Sequence, residues 1–360
     1  MIRRRASRPI QVGNVTVGGA ANVIVQSMTK TDTRNAKATI DQIQRLADCG
    51  CEIVRLAVPD MEAAEALAEI KRSTPIPLIA DIHFDHRLAL AALERNIDQV
   101  RFNPGNIREP EDIAAIVRAA KERSIPLRIG VNAGSLPGRE GGSRGDGEQG
   151  RWEDLASRMV EVVLEQIRFI ESLDFDLIEV SLKASDVLTT IEANKAIAER
   201  MSYPLHVGIT EAGLPKAGSI RSAVGLGTLL YFGIGDSLRI SLTTADPCEE
   251  VFAGYEILKS LELRQRGPTL ISCPTCGRCE VEGFCELASA VEERLSQLEK
   301  PVTVAVMGCV VNGPGEARDA DVGLACGKGR GVIFKRGEKV RTVEETEFLN
   351  ALMAEVEALS

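Results

Sequence analysis

Several features are scarce in this chain, and each scarcity removes a class of function. No stretch approaches the roughly 20 apolar residues that a membrane-spanning helix needs, so a membrane protein is not expected. The amino terminus, MIRRRASRPIQVG, is positively charged but lacks the apolar run that makes a secretory signal; a cytoplasmic protein is expected. Positive charge is in deficit overall, with a formal net charge of −9, whereas a phosphate backbone is bound by an electropositive face. Neither nucleic acid nor membrane is an expected partner, and an anionic substrate would have to be met by cations gathered locally. Aromatics make up only 4% of the 360 residues, yet 44% are hydrophobic, enough to bury one large core and to build two domains.

Cysteine is not scarce. Nine cysteines in a chain with no export signal are not expected to form disulfides, because a reducing compartment keeps thiols free; clustered ones read first as metal or catalytic sites.

Eight short apolar runs precede residue 245: Val23 to Gln26, Glu52 to Val58, Pro77 to Ile82, Gln99 to Phe102, Pro126 to Val131, Asp176 to Leu182, Pro204 to Ile209 and Ser237 to Leu242. A helix-like segment follows each, as in TIDQIQRLADCG, DMEAAEALAEIKRS and RMVEVVLEQIRFIESL, where apolar residues recur every three or four positions. Eight β-then-α units predict an α/β fold, a (β/α)₈ barrel, over a doubly wound open sheet. The pattern breaks at Arg264 to Pro268. Beyond that break come a cysteine-rich loop, a helix near Leu287 to Glu299, a strand Val302 to Val306, Gly-rich strand-like segments and a helix from Val343 to Leu359. The expected domains are therefore a barrel over 1–265 and a small α+β domain over 266–360. GREGGSRGDGEQG, from Gly138, has no Walker Lys-Ser/Thr and does not match the dinucleotide fingerprint; it reads as a βα loop near the substrate.

Barrel strands are covered outside and packed inside, so they should be nearly continuous Val, Ile and Leu. Here arginines interrupt them: Arg55 in VRLAVP, Arg101 in VRFNPG, Arg128 in LRIGVN and Arg239 in LRISLT. Polar residues recur at period two, so Arg101 with Asn103, Arg128 with Asn132, Asp81 with His83, Ser181 with Lys183, and Arg239 with Ser241 share strand faces. Ion pairs plugging the barrel are the plain explanation. Asp81 and Glu179 are, however, too few to neutralise four arginines and Lys183. The surplus calls for an anion at the carboxyl ends of the strands, where barrel active sites lie, and guanidinium forks suit diphosphate oxygens. His83, His86 and His206 lack zinc-like spacing. Glu211, after the seventh strand, is a candidate acid or base beside a cationic site, or a helix-terminal carboxylate.

The strongest local signal is ISCPTCGRCE, whose Cys273 and Cys276 form a C-x₂-C chelate, with Cys309 distant in MGCVVNGPGE. Cys279 extends the spacing, but the fourth cysteine of a ferredoxin motif is missing and Cys285 comes too late. Zinc, a four-cysteine electron-transfer cluster and a catalytic cluster with a non-cysteine ligand all remain open on spacing alone. GPG at Gly313 to Gly315 delivers Glu316 near Cys309 on a permissive backbone.

Taken together, QSMTKTDT, VRLAVP, DIHF, VRFNPGNI, RIGVNAGSL, SLKASD, HVGITEAG, GIGDSLRISLT, CPTCGR and GCVVNGPGE resemble the bacterial 4-hydroxy-3-methylbut-2-enyl diphosphate synthases of the methylerythritol phosphate route to isoprenoids. The resemblance runs over almost the whole chain. It implies a [4Fe–4S] cluster on Cys273, Cys276 and Cys309 with Glu316 as an oxygen ligand. It implies two-electron reductive ring opening and dehydration of 2-C-methyl-D-erythritol 2,4-cyclodiphosphate, with electrons from ferredoxin or flavodoxin. Arg55, Arg101, Arg128, Lys183 and Arg239 would hold the diphosphate; Asp81, His83, Asn103, Asn132 and Ser241 would orient it; Glu211 would transfer a proton. It also implies a head-to-tail homodimer in which the cluster domain of one chain caps the barrel of the other. Cys279 and Cys285 depart from the commoner pattern and are expected to be bystanders. No long insertion separates barrel and cluster domain, as in the two-domain bacterial form. A cluster-bearing sensor would not need the cationic strand ends, and a radical enzyme using S-adenosylmethionine would want clustered cysteines early, where only Cys49 and Cys51 stand, expected to pack in a helix–strand turn.

Overall fold

A computed structural model describes residues 2–136, 148–279, 281–298, 300–309, 315 and 318–359. The chain forms two compact units, Met1–Arg264 and Gln265–Ser360.

In the first unit eight parallel strands alternate with eight helices. The strands are β3 (Ile24–Met28), β4 (Ile53–Ala57), β5 (Leu78–Ile82), β6 (Gln99–Phe102), β7 (Leu127–Asn132), β8 (Ile178–Lys183), β9 (His206–Val207) and β10 (Ser237–Leu238). The helices are α1 (Ala36–Asp48), α2 (Met61–Ser73), α3 (His86–Glu94), α4 (Pro110–Arg123), α5 (Glu148–Ser172), α6 (Val187–Ala198), α7 (Pro215–Tyr231) and α8 (Cys248–Ser260). The sheet runs β8-β7-β6-β5-β4-β3-β10-β9, and a parallel bridge between Val180 and Leu205 joins its ends into a barrel. The expected (β/α)₈ architecture is present. Short side chains start several helices by taking up free amide donors: Asn35 accepts from Ala38, Asp60 from Ala63 and Asp186 from Thr189.

Alternation along each strand sorts its residues. Val25, Val54, Leu56, Leu78, Ala80, Val100, Phe102, Ile129, Val180 and Leu182 pack outward with the helices in one large core. Their neighbours point along the barrel axis. At the amino-terminal end these are Ile24, Ile53 and Ile79, and they pack on a hairpin that the sequence reading did not anticipate, β1 (Ile10–Val12) with β2 (Val15–Val17). The hairpin closes one end with apolar side chains, and the polar strand residues fill the other.

One cysteine expectation is overturned. Cys49, which caps α1, forms a disulfide with Cys248, the first residue of α8, across 199 residues. The helix ends stand side by side because α1 and α8 flank β3 in the closed ring, a proximity that sequence separation hides. Cys51 does pack in the turn before β4, buried with its thiol near the Ile53 carbonyl.

The second unit is a five-stranded sheet, β11 (Thr269–Ser272), β12 (Thr303–Met307), β13 (Val322–Gly327), β14 (Arg330–Lys335) and β15 (Glu338–Glu344), in that order. The first three strands are parallel and the last two antiparallel. Helices α9 (Phe284–Leu295) and α10 (Phe348–Glu357) bury Phe284, Val291, Phe348, Leu352 and Val356 against Val304, Val306, Val322, Leu324 and Ile333. The expected last helix starts later than Val343, because Val343 belongs to β15.

Candidate active site

The inward-facing residues of the barrel form a polar column. In its middle, Arg128 Nε donates to Glu179 Oε2 at 2.9 Å and its Nη2 to Gln26 Oε1 at 2.7 Å. Glu179 also accepts from Gln99 at 2.9 Å and from Ser237 Oγ at 2.6 Å, and Ser237 meets His206 Nδ1 at 2.9 Å. Arg128 and Glu179 are fully buried. The plain explanation, an ion pair plugging the barrel, therefore holds for this pair. Gln26, Gln99, His206 and Ser237 were not picked out as site residues; for Ser237 the signal was available, since period two carries Arg239 and Ser241 back to it.

On the neighbouring strands, in register with Arg128, Asp81 accepts from Arg101 Nη1 at 2.8 Å and faces Arg55 Nε at 3.4 Å. Burial alone would raise the Asp81 pKa, but Arg55 and Arg101 outweigh it and hold this carboxyl well below its ordinary value. Burial, opposed by Asp81, pushes the Arg55 guanidinium down to about 9, still protonated at neutral pH. Two glycines make room for these side chains: a Cβ at Gly130 would collide with the Arg101 guanidinium, and one at Gly208 would stand 2.9 Å from Lys183 Nζ. Arg239 lies 4.0 Å from Glu250, a buried acid on α8 that no strand pattern could reveal. Lys30 approaches the same carboxylate at 3.5 Å.

Against the five strand cations Arg55, Arg101, Arg128, Lys183 and Arg239 stand three buried carboxylates, Asp81, Glu179 and Glu250, and these pair with the four arginines. Among the described residues, Nε of Arg55, Arg101 and Arg239 and Nη1 of Arg128 are buried donors with no hydrogen-bond partner. Unmet buried donors are costly, and an anion at the mouth would satisfy such donors.

The remaining candidates stand at the rim. His83 is exposed, 3.6 Å from Asp81. Asn103 is engaged by its own loop, donating to Ser135 Oγ at 2.7 Å and accepting from Gly105 N at 2.9 Å, while Ser135 donates to the Asn132 carbonyl at 2.8 Å. Ser241 is half-buried beyond β10. Glu211 is exposed in a left-handed turn at φ 53° before α7, outside the helix that a terminal-carboxylate role would need.

In the second unit the adjacent parallel strands β11 and β12 end on Cys273 and on Gly308–Cys309. Cys273, Cys276, Cys279 and Cys309 line one cavity of about 340 Å³. Gly308 N donates to Cys273 Sγ at 3.2 Å, and a Cβ at Gly308 would stand 2.6 Å from Cys279 Sγ and 3.3 Å from Cys273 Sγ. Among the described residues no three His, Cys, Asp or Glu side chains converge to hold a single metal ion. A cubane is ligated at its corners, so thiols spread round a cavity suit it. Cys285, on α9, opens into a neighbouring hollow that Cys273 also lines. Glu316 and most of the loop from Gly138 lie outside the described residues.

Residues 7–255 match the GcpE TIM-barrel domain, and residues 269–358 match the GcpE protein C-terminal domain. The chain is similar to three curated relatives named 4-hydroxy-3-methylbut-2-en-1-yl diphosphate synthase (flavodoxin). That of Dehalococcoides mccartyi is 58% identical over 365 residues, with 100% of each chain covered. That of Geobacter sulfurreducens is 57% identical, with 98% of each covered, and that of Brevibacillus brevis 49% identical, with 99% of this chain and 96% of the relative covered. Among solved structures, 7,8-dihydropteroate synthase from Vibrio fischeri aligns with a TM-score of 0.50 at 13% identity, over 71% of this chain and 99% of that one, a likeness of barrel fold alone.

Proposed function

This chain belongs to the GcpE family, and on that premise we propose that it makes 4-hydroxy-3-methylbut-2-enyl diphosphate by two-electron reductive ring opening and dehydration of 2-C-methyl-D-erythritol 2,4-cyclodiphosphate in isoprenoid biosynthesis. The observation that carries this reading is the surplus of cations at the barrel mouth, with buried donors unmet. Arg55, Arg101, Lys183 and Arg239, with Nη1 of Arg128, would bind the diphosphate oxygens. Asp81 keeps Arg55 and Arg101 in place, and His83, Asn132 and Ser241 would orient the ring. Asn103 acts through the loop it pins. Glu211, exposed in its left-handed turn, is the proposed proton-transfer residue.

Cys273, Cys276 and Cys309, with Glu316, would hold a [4Fe–4S] cluster, which supplies electrons singly when bound. Flavodoxin is the proposed donor, in line with the relatives' names. A head-to-tail homodimer is proposed as the assembly. In its support, Leu214, Ile220, Val224, Tyr231 and Phe252 leave an apolar face on and beside α7 and α8 uncovered in the single chain. No described helix is long and apolar enough to cross a membrane, in keeping with a cytoplasmic enzyme.

The test is iron and acid-labile sulfide analysis of protein purified without oxygen, followed by turnover of the cyclic diphosphate with reduced flavodoxin. About four irons and four sulfides per chain, with product formation, are expected. One zinc without sulfide, or no turnover of the loaded enzyme, would overturn the reading.

A further inference from the structure

Lys183 ends β8 with 6% of its surface exposed, and among the described residues its ammonium has no hydrogen-bond acceptor and no ion-pair partner. Arg55, Arg101, Arg128 and Arg239 all repel it from the surrounding strands. The nearby carboxylates already serve other cations: Asp81 pairs with Arg55 and Arg101, Glu179 with Arg128, and Glu250 with Lys30 and Arg239. His206, on β9, is buried in the same field and held neutral by burial and by these cations. Burial and like charge both oppose a proton on Lys183, and they drive its pKa well below the ordinary lysine value. Arg55 beside it is pushed down only to about 9 and keeps its proton at neutral pH, a delocalised guanidinium being the harder group to deprotonate. Losing the Lys183 proton is therefore the way the empty site relieves its own repulsion, and a diphosphate placed among the cations reverses the sign of the field.

We propose that Lys183 is the proton acceptor of the barrel mouth, so that the site takes up the diphosphate together with one proton lodged on Lys183 Nζ. This rests on the reading that the barrel binds the cyclic diphosphate. That reaction turns a cyclic dianion, two electrons and one proton into a linear trianion and water. The proton carried in with the substrate thus stands beside the molecule that consumes one.

The experiment is calorimetric titration of the oxidised holoenzyme with cyclic diphosphate, without reductant, in two buffers of different ionisation enthalpy at one mildly alkaline pH. Each ring phosphorus keeps its single charge there, so any proton taken up goes to the protein. Uptake approaching one proton per site is expected for the wild type, declining towards acid pH, where Lys183 is already protonated in the free enzyme. Lys183→Arg, permanently charged, should bind without uptake, and His206→Asn should keep the wild-type uptake. Wild-type binding without uptake overturns the proposal, as does full uptake in Lys183→Arg or its loss in His206→Asn. Absence of wild-type binding would overturn the diphosphate reading itself, and the proposal with it.

Discussion

Arg128 and Glu179 form an ion pair sealed inside the barrel, Nε to Oε2 at 2.9 Å, with 1% and 0% of their side-chain surfaces exposed. Around them Gln26 accepts from Arg128, and Gln99 and Ser237 donate to Glu179. Breaking such a pair leaves an uncompensated buried charge. Glu179→Gln should lower unfolding stability by about 3–5 kcal/mol, read from the denaturant midpoint. A loss below about 1 kcal/mol, the scale of an exposed pair, would contradict the assigned role.

Gly130 has the Arg101 guanidinium where its Cβ would be. Gly130→Ala should push Arg101 away from Asp81 and weaken binding of the cyclic diphosphate by about tenfold, or about 1.4 kcal/mol. Calorimetric affinity equal to wild type would place Arg101 outside the anion site.

Asp81 has a folded-state pKa held well below its ordinary value. For a depressed carboxyl, the stabilisation is complete above the unfolded value of about 3.9 and is lost as pH falls through the folded value. The stability gap between wild type and Asp81→Asn should therefore stay constant from neutrality down to about pH 4 and shrink only in stronger acid. A gap that closes nearer neutrality would contradict the pairing with Arg55 and Arg101.

Cysteine reactivity follows burial. Burial pushes the Cys51 and Cys326 thiols up to about 12, whereas Cys276 and Cys285 are exposed. Alkylation of cluster-free protein at about pH 8 should label Cys276 and Cys285 and spare Cys51 and Cys326, because thiolate is the reacting form. Cys49 and Cys248 should label only after reduction. Peptide mass mapping checks all six, and free Cys49 in non-reduced protein would remove the disulfide from the fold.

Gly308 lies between the sulfurs of Cys273 and Cys279. Gly308→Ala should displace both and lower iron retained after anaerobic desalting by more than half, with α9 and the sheet still folded by circular dichroism. Undiminished iron would place the cluster elsewhere.

Much of the architecture was legible because it depends on local pattern. Eight apolar runs alternating with amphipathic segments can bury their strands on both faces only in a layered α/β arrangement. Period two in VRFN, SLK and LRIS puts the cations on shared strand faces. The β1–β2 hairpin is not legible in the sequence because Ile10, Val12 and Val17 form only short apolar runs, whose use, closing the barrel floor, arises once the ring exists.

From its sequence alone, the chain determined that cations would recur along the faces of barrel strands and that Cys273 and Cys276 stand at chelate spacing. Those conclusions rest on charge imbalance, strand periodicity and chelate spacing, which are properties of neighbours along the chain. Only the tertiary structure decided that Arg128 is bound to Glu179 while Lys183 has no acceptor among the described residues, that Glu250 reaches in from a helix, and that Cys49 meets Cys248. Each depends on ring closure, which brings together residues tens to hundreds of positions apart, and on the depth at which a side chain loses water. Neither quantity is written in local order.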